Sequence, residues 1–254
     1  QAGLLLRKSL LINATLFNSE AWHSITKSQI EAFEKVDEAL LKGITASHAK
    51  IPIPALYLET AQVPVRYILA CRRILYLQCI VQRSDDELVK KVYMAQKSDP
   101  TNGDFCQLVD QDLQLIDLRL SEDQIAAISY FDFKKLVKLK TSQAAFKHLM
   151  AIKETKTKMD NIMYTNSFMP QPYMVNWPRE QASLMLALRT RTVRGIRTDF
   201  GNIFLDKTCP LPGCLEADSL SHVLACTALK AAVHPSVQTD VQRPVQYGDV
   251  FSDC

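Results

Sequence analysis

Segment 209–226, CPLPGCLEADSLSHVLAC, constrains the chain more than any other. It sets Cys209, Cys214, His222 and Cys226 at C-x4-C-x7-H-x3-C spacing. Three thiols and one imidazole are a usual tetrahedral ligand set for structural zinc. The first two cysteines flank a short Pro/Gly turn that can aim two thiolates at one ion. His222 and Cys226 are four apart in an apolar helical run with Leu220, Val223 and Leu224, so both face one side. Four protein ligands leave no open position, so the pattern points to structural rather than catalytic zinc. The plainer alternative is a small cysteine-lined core with a histidine beside it.

The remaining pattern is helical. Seven glycines in 254 residues is few, while Leu, Lys, Gln and Ala are common. Residues 4–17 form an apolar run expected as a buried helix. Thr26-Lys27-Ser28-Gln29 is a capping box that opens an amphipathic helix to about Gly43, with Ile30, Phe33, Val36 and Leu40/Leu41 as its stripe. Pro54 suits the first position of a short helix, and Pro64 starts a longer one to about Arg83. Ser84-x-x-Glu87 is expected to cap the next, to about Gln96. Asp99 to Gly103 form a strong turn. Residues 163–177, with Pro170 and Pro172, are expected as an extended connection, and Pro178 opens a further helix. Residues 231–254 form a polar tail. The fold class is all-α with one small metal module.

An odd cysteine count, with three of them at metal spacing beside His222, argues for a reducing compartment rather than a disulfide framework. Cys71, Cys79 and Cys106 suit buried apolar positions. The opening run is too short and polar to span a bilayer and lacks the layout of a signal peptide. The expected location is intracellular, in nucleus or cytoplasm, with no membrane partner. Beginning at Gln1 within an apolar run suits a fragment or processed product.

Charge is segregated along the chain. Residues 104–132 carry seven acidic side chains against Arg119. The next stretch reverses sign, with Lys134, Lys135, Lys138, Lys140, Lys147, Lys153, Lys156 and Lys158 against Glu154. Such a row can track phosphates, since lysines neutralise backbone charge and release counterions. A solvated face, or a partner for the preceding acidic helix, accounts for it equally. Arg189, Arg191, Arg194 and Arg197 form a second basic cluster, and guanidinium forks suit phosphates. Arg66, Arg72 and Arg73 form a third, among Tyr67 and Tyr76, rings that either stack on bases or belong to the core. The expected partners are RNA or DNA.

Catalysis has no evident residues. Asp85-Asp86 sits in what looks like a helix start, no phosphate loop or nucleophile elbow occurs, and the histidines outside the zinc pattern are scattered.

Several stretches in this order resemble the region after the polymerase palm in reverse transcriptases of non-LTR (LINE-like) retrotransposons. They are GLLLRKSLLIN from Gly3, LFNSEAW to Trp22, ALYLE from Ala55, VPVR to Arg66, RRILYL from Arg72 and YMAQ from Tyr93. Ala145-Phe146-Lys147, LRTR to Arg191, the Cys209 segment and YGDVFS from Tyr247 follow in the same order. The resemblance implies a thumb-like helical bundle over 1–98, a helical connector with basic helices over 99–204, a CCHC zinc knuckle over 205–230 and a tail over 231–254. It also implies that the helices of residues 4–83 cradle a primer–template duplex, while the basic helices and knuckle grip template RNA or target DNA. The chain departs from the family in its x4 gap between Cys209 and Cys214, where two residues are usual. It also lacks the fingers and the palm with its magnesium-binding aspartates, so it is expected to polymerise nothing alone. A retained transposon remnant serving as an adaptor in a protein assembly fits the same residues.

Overall fold

A computed structural model describes residues 2–22, 25–47, 50–101, 103–156, 159, 162, 164, 168–190 and 192. The chain divides into two compact units, residues 1–192 and 193–254. The boundary anticipated at residue 98 therefore falls within the first unit, because helices on both sides of it share a core. The expected knuckle and tail lie outside the described residues.

Among the described residues there are helices and no strands. They are α1 (Ala2–Leu6), α2 (Lys27–Ile44), α3 (Ile53–Thr60), α4 (Val65–Val81), α5 (Leu88–Ser98), α6 (Phe105–Leu115), α7 (Glu122–Ala127), α8 (Tyr130–Glu154), α9 (Pro172–Asn176) and α10 (Arg179–Arg189). None is long and apolar enough to cross a membrane.

The opening run is helical, but α1 widens at Arg7 into a π-helix that continues to Thr15. Helix α2 starts at the expected capping box: Thr26 Oγ1 accepts from the Gln29 amide, and the Gln29 side chain accepts from the Thr26 amide. Its inner face differs from the apolar pattern. Val36 is 54% exposed, whereas Asp37 is fully buried. A buried carboxylate is tolerable only when paired, and Arg7 grips it through two nitrogens at 2.6 and 2.7 Å while Tyr57 Oη donates at 2.8 Å. Helix α5 also differs. It begins one turn later than the Ser84 signal suggests, with Glu87 at the N-cap, and the Ser84 hydroxyl accepts from Asp86 in the preceding turn. The connection after 163 includes the short helix α9, with Pro172 in its first turn.

Helix α4 is the central element, packing on α2, α5, α6, α7 and α8. Buried side chains surround it, from Val65, Tyr67 and Leu69 to Ile74, Leu77 and Ile80, with Arg73 and Gln78 buried among them. One core joins α4 to α5, α6, α7 and the first half of α8 through Phe105, Val109, Ile125, Phe133 and Val137. A second gathers Leu41, α3, Leu149, Tyr173 and Leu186. A third seats Leu11, Ile12 and Leu16 on Val65 and Leu69. The buried row of α8 is Phe133, Val137, Thr141, Ala145 and Leu149. A four-residue step overshoots one helical turn by about 40°, so this row winds around α8 and carries it from the first core to the second.

Candidate nucleic-acid interface

Helix α8 spans 25 residues, about 37 Å, and the side opposite its winding buried row faces solvent. Ser129 caps it, accepting from the Asp132 amide. Lys135, Lys138 and Lys147 are exposed, and Lys134 is half-buried with its ammonium 5.4 Å from the Tyr130 ring centroid. Lys135 and Lys147 are twelve positions apart, about 18 Å along the axis.

The acidic segment does not neutralise this row. Asp104 caps α6 through the Gln107 amide at 2.8 Å, and Asp112 is paired with Arg73. Asp117 meets Arg119 at 3.4 Å, while Glu122 accepts from Tyr93 at 2.6 Å and Lys97 at 2.7 Å. Asp132 accepts from the Ser129 hydroxyl. Among the described residues, none of the α8 lysines has a carboxylate within salt-bridge distance. The face is therefore basic and uncompensated rather than half of an internal ion-pair lattice.

The arginines divide differently from the lysines. Arg73 is 3% exposed and donates to both oxygens of Asp112 at 2.5 and 2.9 Å. Arg66 makes a two-pronged pair with Glu34 at 2.6 and 2.7 Å, its side chain 39% exposed. Arg72 donates to the carbonyls of Ile12 and Leu16 and to Ser19 Oγ, holding the end of the π-helix against α4. Arg189 donates to the fully buried Glu59 at 2.9 Å and lies 5.9 Å from the Tyr173 ring centroid. Glu59 also accepts from Tyr164 at 2.8 Å and Tyr173 at 2.7 Å, and burial together with this carboxylate pushes both phenols upward. Four of the arginines expected at a phosphate surface thus have partners inside the fold. Arg191, Arg194 and Arg197 lie outside the described residues. Of the two tyrosines considered for stacking, Tyr67 is buried and Tyr76 is half-buried, edge-on to Phe105.

At its far end α8 borders a cleft of mixed charge, about 560 Å³, whose walls include Glu34, Glu38, Lys50, Arg66, His148 and Lys156. Burial raises Glu38 above the usual carboxylate range and holds His148 below the usual imidazole range, the nearby Arg66 adding to the second effect. Carboxylates there make the cleft a poor continuation of a phosphate track. The anion-attracting part of α8 is its lysine row ahead of that cleft.

Cys71, Cys79 and Cys106 are half-buried free thiols; burial raises Cys71, and burial with Asp104 and Asp110 pushes Cys106 up to about 11. At neutral pH those two are thiols rather than nucleophilic thiolates. Among the described residues no group of three metal-capable side chains converges, and Cys209, Cys214, His222 and Cys226 lie outside them. The opening run, expected as a buried helix, leaves Leu5, Leu6 and Phe17 exposed, because Leu11, Ile12 and Leu16 are the buried ones among its described apolar residues. Phe131 is a further exposed aromatic, whose exposure has no signature in the sequence. No protein-family model, curated protein or solved structure matches this chain.

Proposed function

We propose that the chain binds nucleic acid through the lysine face of α8. On this reading it is the thumb and connector region of a non-LTR-type reverse transcriptase, and Cys209, Cys214, His222 and Cys226 hold a structural zinc knuckle. The observation that carries the proposal is the lysines themselves, presented along a rigid helix with no carboxylate within salt-bridge distance among the described residues, while five of the seven acids of 104–132 have partners elsewhere. Surface cations held apart from counter-charges gain most by meeting phosphates, because each contact releases condensed counterions. A rigid helix holds Lys134, Lys135 and Lys138 within about 100° of one another at its start, a fixed cluster that suits the closely spaced charges of a nucleic-acid backbone. Lys147, nine positions past Lys138, lies on the opposite side. Polymerisation belongs, in this account, to a palm outside the given sequence.

The test is charge reversal. Lys135→Glu, Lys138→Glu and Lys147→Glu together should abolish binding of the full chain to duplex DNA and structured RNA at low salt, with the thermal midpoint held. Equal binding by parent and triple variant would place the interface elsewhere.

One observation favours a second reading, that of an adaptor in a protein assembly. Helix α5 turns Leu88, Val89, Val92 and Met94 to solvent, with Leu88 76% exposed. A helix face of that kind suits a protein neighbour. Loss of a co-purifying partner on Leu88→Glu and Val92→Glu, with no nucleic-acid binding by the parent, would favour it.

A further inference from the structure

Phe17 sits on the turn between the π-helix and the short helical turn Ser19–Ala21, and is 77% exposed. The turn is fixed from behind. Leu16 is 1% exposed, Asn18 adopts a left-handed backbone with φ of 55°, and Arg72 clamps the carbonyls of Ile12 and Leu16. Tyr130, the first residue of α8, is 49% exposed. Between them lies a hollow of about 500 Å³ whose walls also include Tyr76, Leu75, Asn13 and Asn18. Phe131, 74% exposed, is Tyr130's neighbour and lies one turn before Lys135.

An aromatic hollow at the start of the lysine row has two chemistries in one place. Rings held on a braced turn and a helix end offer faces for stacking, and amides beside them can exchange hydrogen bonds with a base edge. Lys134 and Lys138 continue from Tyr130 at one-turn steps, so a strand leaving the hollow runs directly onto cations. Glu20 on the rim repels phosphate and leaves the lysine side as the backbone path. A duplex hides its base faces, so only unpaired bases can use the rings. We propose that this groove, formed by Phe17, Tyr76 and Tyr130, is a stacking site for the bases of single-stranded nucleic acid, with the backbone on Lys134, Lys135 and Lys138. The inference rests on the nucleic-acid reading above and adds to it which form of the polymer is taken.

The experiment titrates the full chain with fluorescent oligothymidylate, an abasic strand of equal length and a duplex. The parent should prefer oligothymidylate to the abasic strand. Phe17→Ala and Tyr130→Ala, both at exposed positions, should each weaken oligothymidylate roughly ten- to a hundredfold and leave duplex binding unchanged. Oligothymidylate binding that equals abasic binding, or that both variants retain, would overturn the stacking site while the lysine surface stands. No binding of any strand by the parent at low salt would remove the nucleic-acid reading and this site with it. Self-association of the parent that Phe17→Ala abolishes, without strand binding, would assign the groove to a second copy of the chain and likewise overturn the proposal.

Discussion

Arg72, Arg73 and Lys135 are all cations in helical runs, yet the fold gives them different roles. Arg73 is matched to Asp112 inside the core, Arg72 braces a turn through backbone carbonyls, and Lys135 faces water. The sequence pattern does not separate them, because the partners of the two arginines are 39 to 60 positions away. Asp37 shows the same limit from the other side, a carboxylate in the middle of an inner face, made tolerable by Arg7 and Tyr57. Removing one member of such a buried set leaves the others charged or unpaired, so Asp37→Ala should cost about 3–5 kcal/mol. Urea denaturation measures it, and a loss under about 1 kcal/mol would show the set adds little. His148 gives a pH dependence of definite sign. Burial lowers its folded value below the ordinary 6.5, so on acidification the unfolded chain takes up the proton first. Its contribution is present above the ordinary 6.5 and is lost as pH falls below it toward the lowered folded value. The thermal midpoint should fall over that window, with a shallower slope in His148→Gln; equal slopes would exclude the residue as a source.

At the scale of elements, most helices were legible because their punctuation is local. Thr26 and Gln29 form their capping box, and Pro64 stands immediately before α4. Thr26→Ala should therefore lower stability by about 1 kcal/mol, read as a shift in denaturation midpoint at unchanged slope. No shift would mean that tertiary packing alone holds the start of α2. Where the pattern misleads, a competing contact explains it. Glu87 reaches Arg83 at 3.1 Å rather than closing a capping box with Ser84, so α5 begins later. The solvent face of α8 was half-legible. Its lysines were plain in the sequence, whereas their freedom from the acidic segment depends on where Arg73, Lys97, Tyr93 and Arg119 reach.

For the whole molecule, residues 1–192 form one unit in which α4 draws both halves of the expected thumb and connector into shared packing. The first core pairs residues near 70 with residues near 135. The proposed knuckle belongs to 193–254, and its metal should be separable from the larger unit. Cys214→Ser should lose bound zinc, measured by metal analysis, while the helical circular dichroism of the first unit persists. Unchanged zinc content would refute the ligand set. The central claim is that the α8 face grips a nucleic-acid backbone, and a titration of the full chain with duplex DNA at about 50 and about 200 mM salt tests it most directly. Four phosphate contacts predict roughly a hundredfold loss of affinity over that range. Affinity that stays the same at both concentrations would contradict the account.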